Sequence, residues 1–154
     1  MKITNITCIV ANAGRRNILF VKTETDEGLV GWGEAYGVGP DMAAAVTVDY
    51  LKEWLIGEDP RNIEYLWAIM YKGLRFPPGS VGLAAVSGIE HTLWDISAKA
   101  LGLPVYRLLG GQVRDRIRVY QSCRGATPEE AAEHAVNLIS RYGYTALKMS
   151  PFPP

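Results

Sequence analysis

Neither sign of charge prevails in this chain: Lys and Arg number 16, Asp and Glu 16, and no basic run stands out. Nucleic-acid binding needs a basic face, so the composition argues against such a partner. Long apolar runs are missing too. No window approaches the ~18 apolar residues of a membrane span, so no membrane partner is expected. Met1-Lys2-Ile3-Thr4 begins like a strand and lacks the apolar core and cleavage site of a signal peptide. Cysteine is scarce: Cys8 and Cys123 lie far apart with no CxxC spacing. They read as two buried free thiols, which suits a reducing cytoplasm. What is abundant is apolar side chain, 48% of 154 residues, enough for a folded domain and against disorder.

Strand signals fill the first 36 residues. The β-branched stretch Ile3 to Val10 offers Ile3, Ile6 and Cys8 as inward residues. A polar break covers 11–17, Ile18 to Thr23 makes a second strand, Asp26-Glu27-Gly28 a turn, and Leu29 to Ala35 a third strand. A three-stranded antiparallel meander is the economical reading. Helical spacing follows in Ala44, Val48, Leu51 and Leu55 after Pro40-Asp41, with Gly57 as the stop. Asp59 and Pro60 read as N-cap and first residue of a second helix that presents Ile63, Leu66, Trp67 and Met70. From Ser80 to about Leu101 the stripe Leu83, Val86, Ile89, Leu93, Ile96 and Ala100 predicts the longest helix, which Gly102 and Pro104 end.

Beyond residue 113 the pattern changes. Arg116 to Tyr120 reads as a strand. Thr127-Pro128-Glu129-Glu130 reads as a capped helix start, and Thr145 to Met149 as another strand. A strand, a helix and a strand in so short a span form a βαβ unit with parallel strands. Residues 1–113 are thus expected to be an α+β domain and 114–154 the start of an α/β one. Alone, a βαβ unit leaves an open edge and an uncovered face, so more chain is expected to belong with it.

The run from Ile89-Glu90-His91-Thr92-Leu93-Trp94-Asp95 to Leu108-Leu109-Gly110-Gly111 resembles a signature of the mandelate racemase / muconate lactonizing enzyme branch of the enolase superfamily. Gly31-Trp32-Gly33-Glu34-Ala35 is a second match. Val119-Tyr120-Gln121-Ser122 and Tyr144-Thr145-Ala146-Leu147-Lys148 are similar to its first two barrel strands. The resemblance implies an α+β capping domain (1–113) followed by the first βαβ unit (114–154) of a modified (β/α)8 barrel. It implies Mg²⁺ and abstraction of a proton beside a substrate carboxylate. The family's carboxylate metal ligands come from its third, fourth and fifth strands, so none is expected among these residues and no metal should bind them alone. The rest of the barrel, a sugar-acid substrate and further copies in a homo-oligomer are the implied partners.

Lys148 matches the first lysine of the family's Lys-x-Lys motif on the second strand. It is the candidate for neutralising a substrate carboxylate; a solvated strand-end lysine is the bland alternative. Ser150 stands where the second lysine serves as base, and a serine needs an activating partner for that work. It is the lesser catalytic candidate. That departure disfavours two-base racemisation and favours a sugar-acid dehydratase. Racemisation or cycloisomerisation, or a non-catalytic binding module reusing the cap, are the other readings. In the family the cap loops close over the barrel mouth, which makes Arg15, Arg16 and Tyr36 the substrate-binding candidates. Glu34, Glu90, Asp95, His91 and His134 are expected to be structural or surface groups.

Overall fold

The computed structural model describes residues 1–14, 16–35 and 39–150. The chain divides into two units, Met1–Gly111 and Gln112–Pro154. The first opens with strands β1 (Ile3–Asn12), β2 (Asn17–Thr25) and β3 (Val30–Ala35), antiparallel and in the order β1-β2-β3. Alternation sets the buried face: Leu19, Val21, Thr23 and Thr25 of β2 point inward, while Phe20, Lys22 and Glu24 stay partly open. In β1 the period slips, because a bulge between Ile3 and Asn5 turns both Ile3 and Ile6 to the core. Cys8 is half-buried rather than buried, and burial pushes its thiol up to about 11.

Helices α1 (Asp41–Lys52) and α3 (Gly79–Ala100) cover that face, and α2 (Ile63–Gly73) packs against α3. Val48, Leu51, Leu66, Met70, Val86, Ile89 and Leu93 join Ile3, Ile6, Leu19 and Val21 in one core. Helix α1 stops at Lys52, earlier than its apolar spacing predicts; Leu55 is still buried, but from the turns that follow. Asp59 does not cap α2. Its carboxylate accepts from the Arg61 backbone N–H at 3.0 Å and holds the Arg61 guanidinium at 2.6 Å, so a turn comes first and the helix begins at Ile63. On α3 the expected stripe holds at Val86, Ile89, Leu93 and Ile96 but fails at Leu83, which is 44% exposed, and at Ala100.

Contact between α3 and the sheet explains the Gly-Trp-Gly-Glu-Ala stretch. Gly31, Gly33 and Ala35 face inward, and a Cβ on Gly31 or Gly33 would collide with the carbonyls of Thr92 or Gly88. Strand and helix therefore meet backbone to backbone, with Trp32 and Glu34 turned outward. At the same junction Thr92 Oγ1 donates to the Ile89 carbonyl, so the buried Thr23 hydroxyl donates to Thr92 Oγ1, 2.6 Å away.

Both sheet edges are partly sealed. Beside β1, Ile3 N–H donates to Glu58 O and Gly57 N–H to Ile3 O. Beside β3, Asp95 accepts from Trp32 N–H at 2.9 Å, and Lys99 donates to Val30 O at 2.7 Å while pairing with Asp95. These contacts use up backbone groups that an open edge would offer to other strands. Helix α3 ends in a Schellman motif: Gly102, at φ +66°, donates to Lys99 O, and Leu103 to Ala98 O. The short α4 (Val105–Leu108) follows.

The second unit holds β4 (Gln121–Ser122), α5 (Pro128–Tyr142) and β5 (Leu147–Lys148). The strand expected over Arg116–Tyr120 is not one. That stretch is exposed and unladdered, and pairing begins only at Gln121, where Ala146 offers its carbonyl. A β-branched run marks a segment that can be a strand, but ladder formation waits for a partner at the right register. Among the described residues no helix is long and apolar enough to cross a membrane.

Candidate active-site strands

In the second unit β4 and β5 run parallel, with Gln121 opposite Leu147 and Ser122 opposite Lys148. Cys123 N–H carries the ladder on to Lys148 O at 2.9 Å. Helix α5 gives the unit its two faces. Ala131 and Leu138 are the residues it buries, and Cys123 is buried with them. Alternation then puts Ser122 and Lys148 on the opposite face, away from the helix. In a parallel barrel that face is the lumen, and the C-terminal strand ends are where chemistry is placed. Lys148, exposed, sits at such an end. Ser150, also exposed, lies two residues beyond it.

The loop between β4 and α5 is held at three points. Thr127 caps α5 by accepting from Glu130 N–H at 3.2 Å, and Glu130 Oε2 reaches back to Ala126 N–H at 2.8 Å. This is the expected capping box with the backbone donor moved one residue upstream, from Thr127 to Ala126. Gly125 packs so closely on α5 that a Cβ there would strike the Ala131 amide. Finally His134 Nδ1 lies 3.2 Å from Arg124 N and 2.9 Å from Arg124 O. With a bare Nδ1 the ring accepts from the amide; with a proton there it donates to the carbonyl. His134, read from sequence as a plain surface residue, is thus a loop anchor. Arg124 itself is a residue that sequence reasoning passed over, because the strand was expected to end at Tyr120 and the ladder instead runs to Cys123.

Of the cap-loop candidates, Arg15 and Tyr36 lie outside the described residues. Arg16 is exposed in the turn between β1 and β2, which Ala13 N–H closes on Arg16 O at 2.8 Å. The carboxylates of the cap are brought together differently from what five-residue spacing suggests. Glu90 and Asp95 line one open cleft of about 720 Å³ with Trp32, Glu34, His91 and Trp94. Both are engaged within the cap, Glu90 with Trp94 Nε1 at 3.1 Å and Asp95 with Lys99 and β3. Trp54, Trp67 and Trp94 pack against the core, whereas Trp32 is 46% exposed. Among the described residues no three His, Cys, Asp or Glu side chains converge as a metal site would require.

Comparison with known proteins places this architecture. The model of the family "Mandelate racemase / muconate lactonizing enzyme, N-terminal domain" matches residues 3–110. D-galactonate dehydratase of Verminephrobacter eiseniae is 42% identical over 132 residues, 86% of this chain and 34% of that protein. D-galactonate dehydratase of Pectobacterium atrosepticum is 39% identical over 150 residues, 97% of this chain and 38% of that protein. A solved enolase from Agrobacterium radiobacter, bound to Na and L-malate, superposes with a TM-score of 0.90 at 44% identity, covering 99% of this chain and 39% of that one. An enolase from Pantoea ananatis with bound D-gluconate and Mg gives 0.89 at 37% identity, over 97% of this chain and 36% of that one. The chain spans little more than a third of the length of the curated relatives it matches. Its sheet, its three helices and the matched signature make it a member of the mandelate racemase / muconate lactonizing enzyme family of the enolase superfamily, with residues 3–110 as the N-terminal capping domain.

Proposed function

We propose that the complete protein to which these residues belong is an acid-sugar dehydratase. It removes the proton beside a sugar-acid carboxylate and expels the neighbouring hydroxyl as water, leaving a 2-keto-3-deoxy acid. The observation that carries this reading is Lys148: a lysine at the C-terminal end of a parallel strand, on the face away from α5, in a chain whose relatives include D-galactonate dehydratases. A cation there stabilises a carboxylate that gains charge as its neighbouring proton leaves. Ser150 in place of a second lysine supports dehydration over two-base racemisation, because a hydroxyl is a far weaker general base than a lysine amine.

In this reading Lys148 holds the carboxylate and Ser150 contributes at most a hydrogen bond. Arg15, Arg16 and Tyr36 are proposed as contacts to the acid from the cap loops. Mg²⁺ is proposed as the cofactor of the complete protein, bound by groups outside residues 1–154; these residues by themselves are expected to turn nothing over. The boundary between cap and barrel is proposed at residues 113–114, the assembly as a homo-oligomer and the location as the cytoplasm. The test is a panel of aldonic and aldaric acids incubated with the full-length protein and Mg²⁺. Formation of a 2-keto-3-deoxy product from at least one acid is expected. No product from any acid, or exchange of the α-proton without loss of water, would overturn the assignment in favour of a module or a racemase.

A further inference from the structure

We infer that Arg124 is a substrate-binding residue that grips a carboxylate of the acid from the loop after β4; the inference rests on the dehydratase reading and deepens it. Arg124 follows Cys123, the last residue of the β4 ladder, and Cys123 N–H is bonded to Lys148 O. Two residues beyond Ser122, Arg124 continues the alternation that puts Ser122 and Lys148 on the face away from α5. Two cations therefore stand at the C-terminal ends of neighbouring strands. Among the described residues neither side chain has a carboxylate partner. Two like charges on adjacent strands repel unless an anion lies between or above them, so the pair favours a carboxylate ligand. A guanidinium adds what the ammonium of Lys148 lacks, a planar fork matched to both oxygens of a carboxylate.

The backbone beneath Arg124 is also held in place. Glu130 and Thr127 hold the loop as part of capping α5, and their contacts would exist for the helix's sake alone. The His134 contact is different. It comes from the middle of α5 and holds the backbone of Arg124 itself, by the amide or the carbonyl according to the tautomer, doing nothing for the helix end. Loops at strand ends are ordinarily the mobile part of a fold. Fixing the backbone of one exposed, charged residue lowers the entropy lost when its side chain meets a ligand. His134 is on this account a positioning residue.

The experiment uses the full-length protein with Mg²⁺. D-galactonate and L-malate are titrated calorimetrically, and steady-state kinetics are run on whichever acid of the panel turns over. Arg124→Gln is expected to weaken acid binding by about tenfold or more, the loss that goes with one charged hydrogen-bonded contact. KM should rise with it while kcat changes little. Arg124→Lys should recover part of the loss, and His134→Ala should raise KM less than Arg124→Gln does. Wild-type affinity in Arg124→Gln, with the wild type binding and turning over an acid, overturns the role of Arg124 and leaves the dehydratase reading standing. A wild type that neither binds nor dehydrates any acid overturns both.

Discussion

The two units of this chain solve the problem of a sheet in opposite ways. In the first, three strands bury one face under α1 and α3, with α2 packed on α3, and side chains or loops seal part of both edges: Glu58 and Gly57 beside β1, Asp95 and Lys99 beside β3. In the second, each strand has two laddered residues, and α5 leaves Val136, Ile139 and Tyr142 exposed while burying Ala131 and Leu138. The cap is held by long-range packing, whereas the βαβ unit is held by local devices such as a capping box, a glycine stop and a pinned loop. A fold of the second kind spends few of its residues on a core, and its lysine and arginine at the strand ends stay open to a ligand.

Substitutions can break this contrast. All four tryptophans lie in the first unit, so their fluorescence follows that unit alone. Leu93, fully buried in the core, is expected to lose roughly 2–5 kcal/mol on conversion to alanine, read as a shift in the urea midpoint of tryptophan emission. Ile139→Ala in the second unit, at a residue 49% exposed, should leave that midpoint unmoved; an equal shift would mean the units do not unfold separately.

Gly33→Ala tests the backbone contact between β3 and α3. The added methyl strikes the Gly88 carbonyl, so a loss of about 1–3 kcal/mol is expected by the same fluorescence assay. No loss would show that α3 can stand off from the sheet. In the second unit, Thr127→Ala removes the cap of α5 and should cost about 1 kcal/mol, seen as faster amide exchange in the first turn of that helix. Unchanged exchange there would mean that packing, and not capping, fixes the helix start.

The smallest effect is electrostatic. The Arg61 guanidinium holds the Asp59 carboxyl at about 2, below the usual carboxylate range. A carboxyl depressed in the folded state stabilises it above the unfolded carboxylate value, near 3.8, and that contribution fades as pH falls toward 2. The pair is surface-exposed, so the expected contribution is under ~1 kcal/mol. Asp59→Asn should therefore lower the first unit's stability slightly at pH 6 and by less at pH 2, compared with wild type. A difference that grows toward low pH would reverse the sign of the account.

What could be read from the residues beforehand follows the same division. Thr127-Pro128 with Glu130, and Gly102 after the long helix, announce their structures because each device acts within a turn of itself. Asp59 misled because an aspartate before a proline can cap a helix or close a turn, and Arg61 decides for the turn. Leu83 broke the stripe because helical spacing names a face without saying how far along the helix its cover extends. Asp95 looked like a helix-surface charge until β3 lay beside it, with its partner Trp32 63 residues away in sequence. At the candidate site Lys148 was visible through its strand and its motif. Arg124 was not, since its significance depends on a register and on a histidine ten residues later.

The most direct measurement is kinetic and concerns Lys148 in the full-length protein with Mg²⁺, on the acid sugar it dehydrates best. Lys148→Ala is expected to lower kcat/KM by ~100-fold or more, as loss of a preorganised charge at a developing anion does. Because Lys148 is exposed, the unfolding midpoint should stay where it is. A variant that loses both stability and activity together, or one that keeps kcat/KM within about twofold of wild type, would contradict the placement of this lysine at the reacting carboxylate.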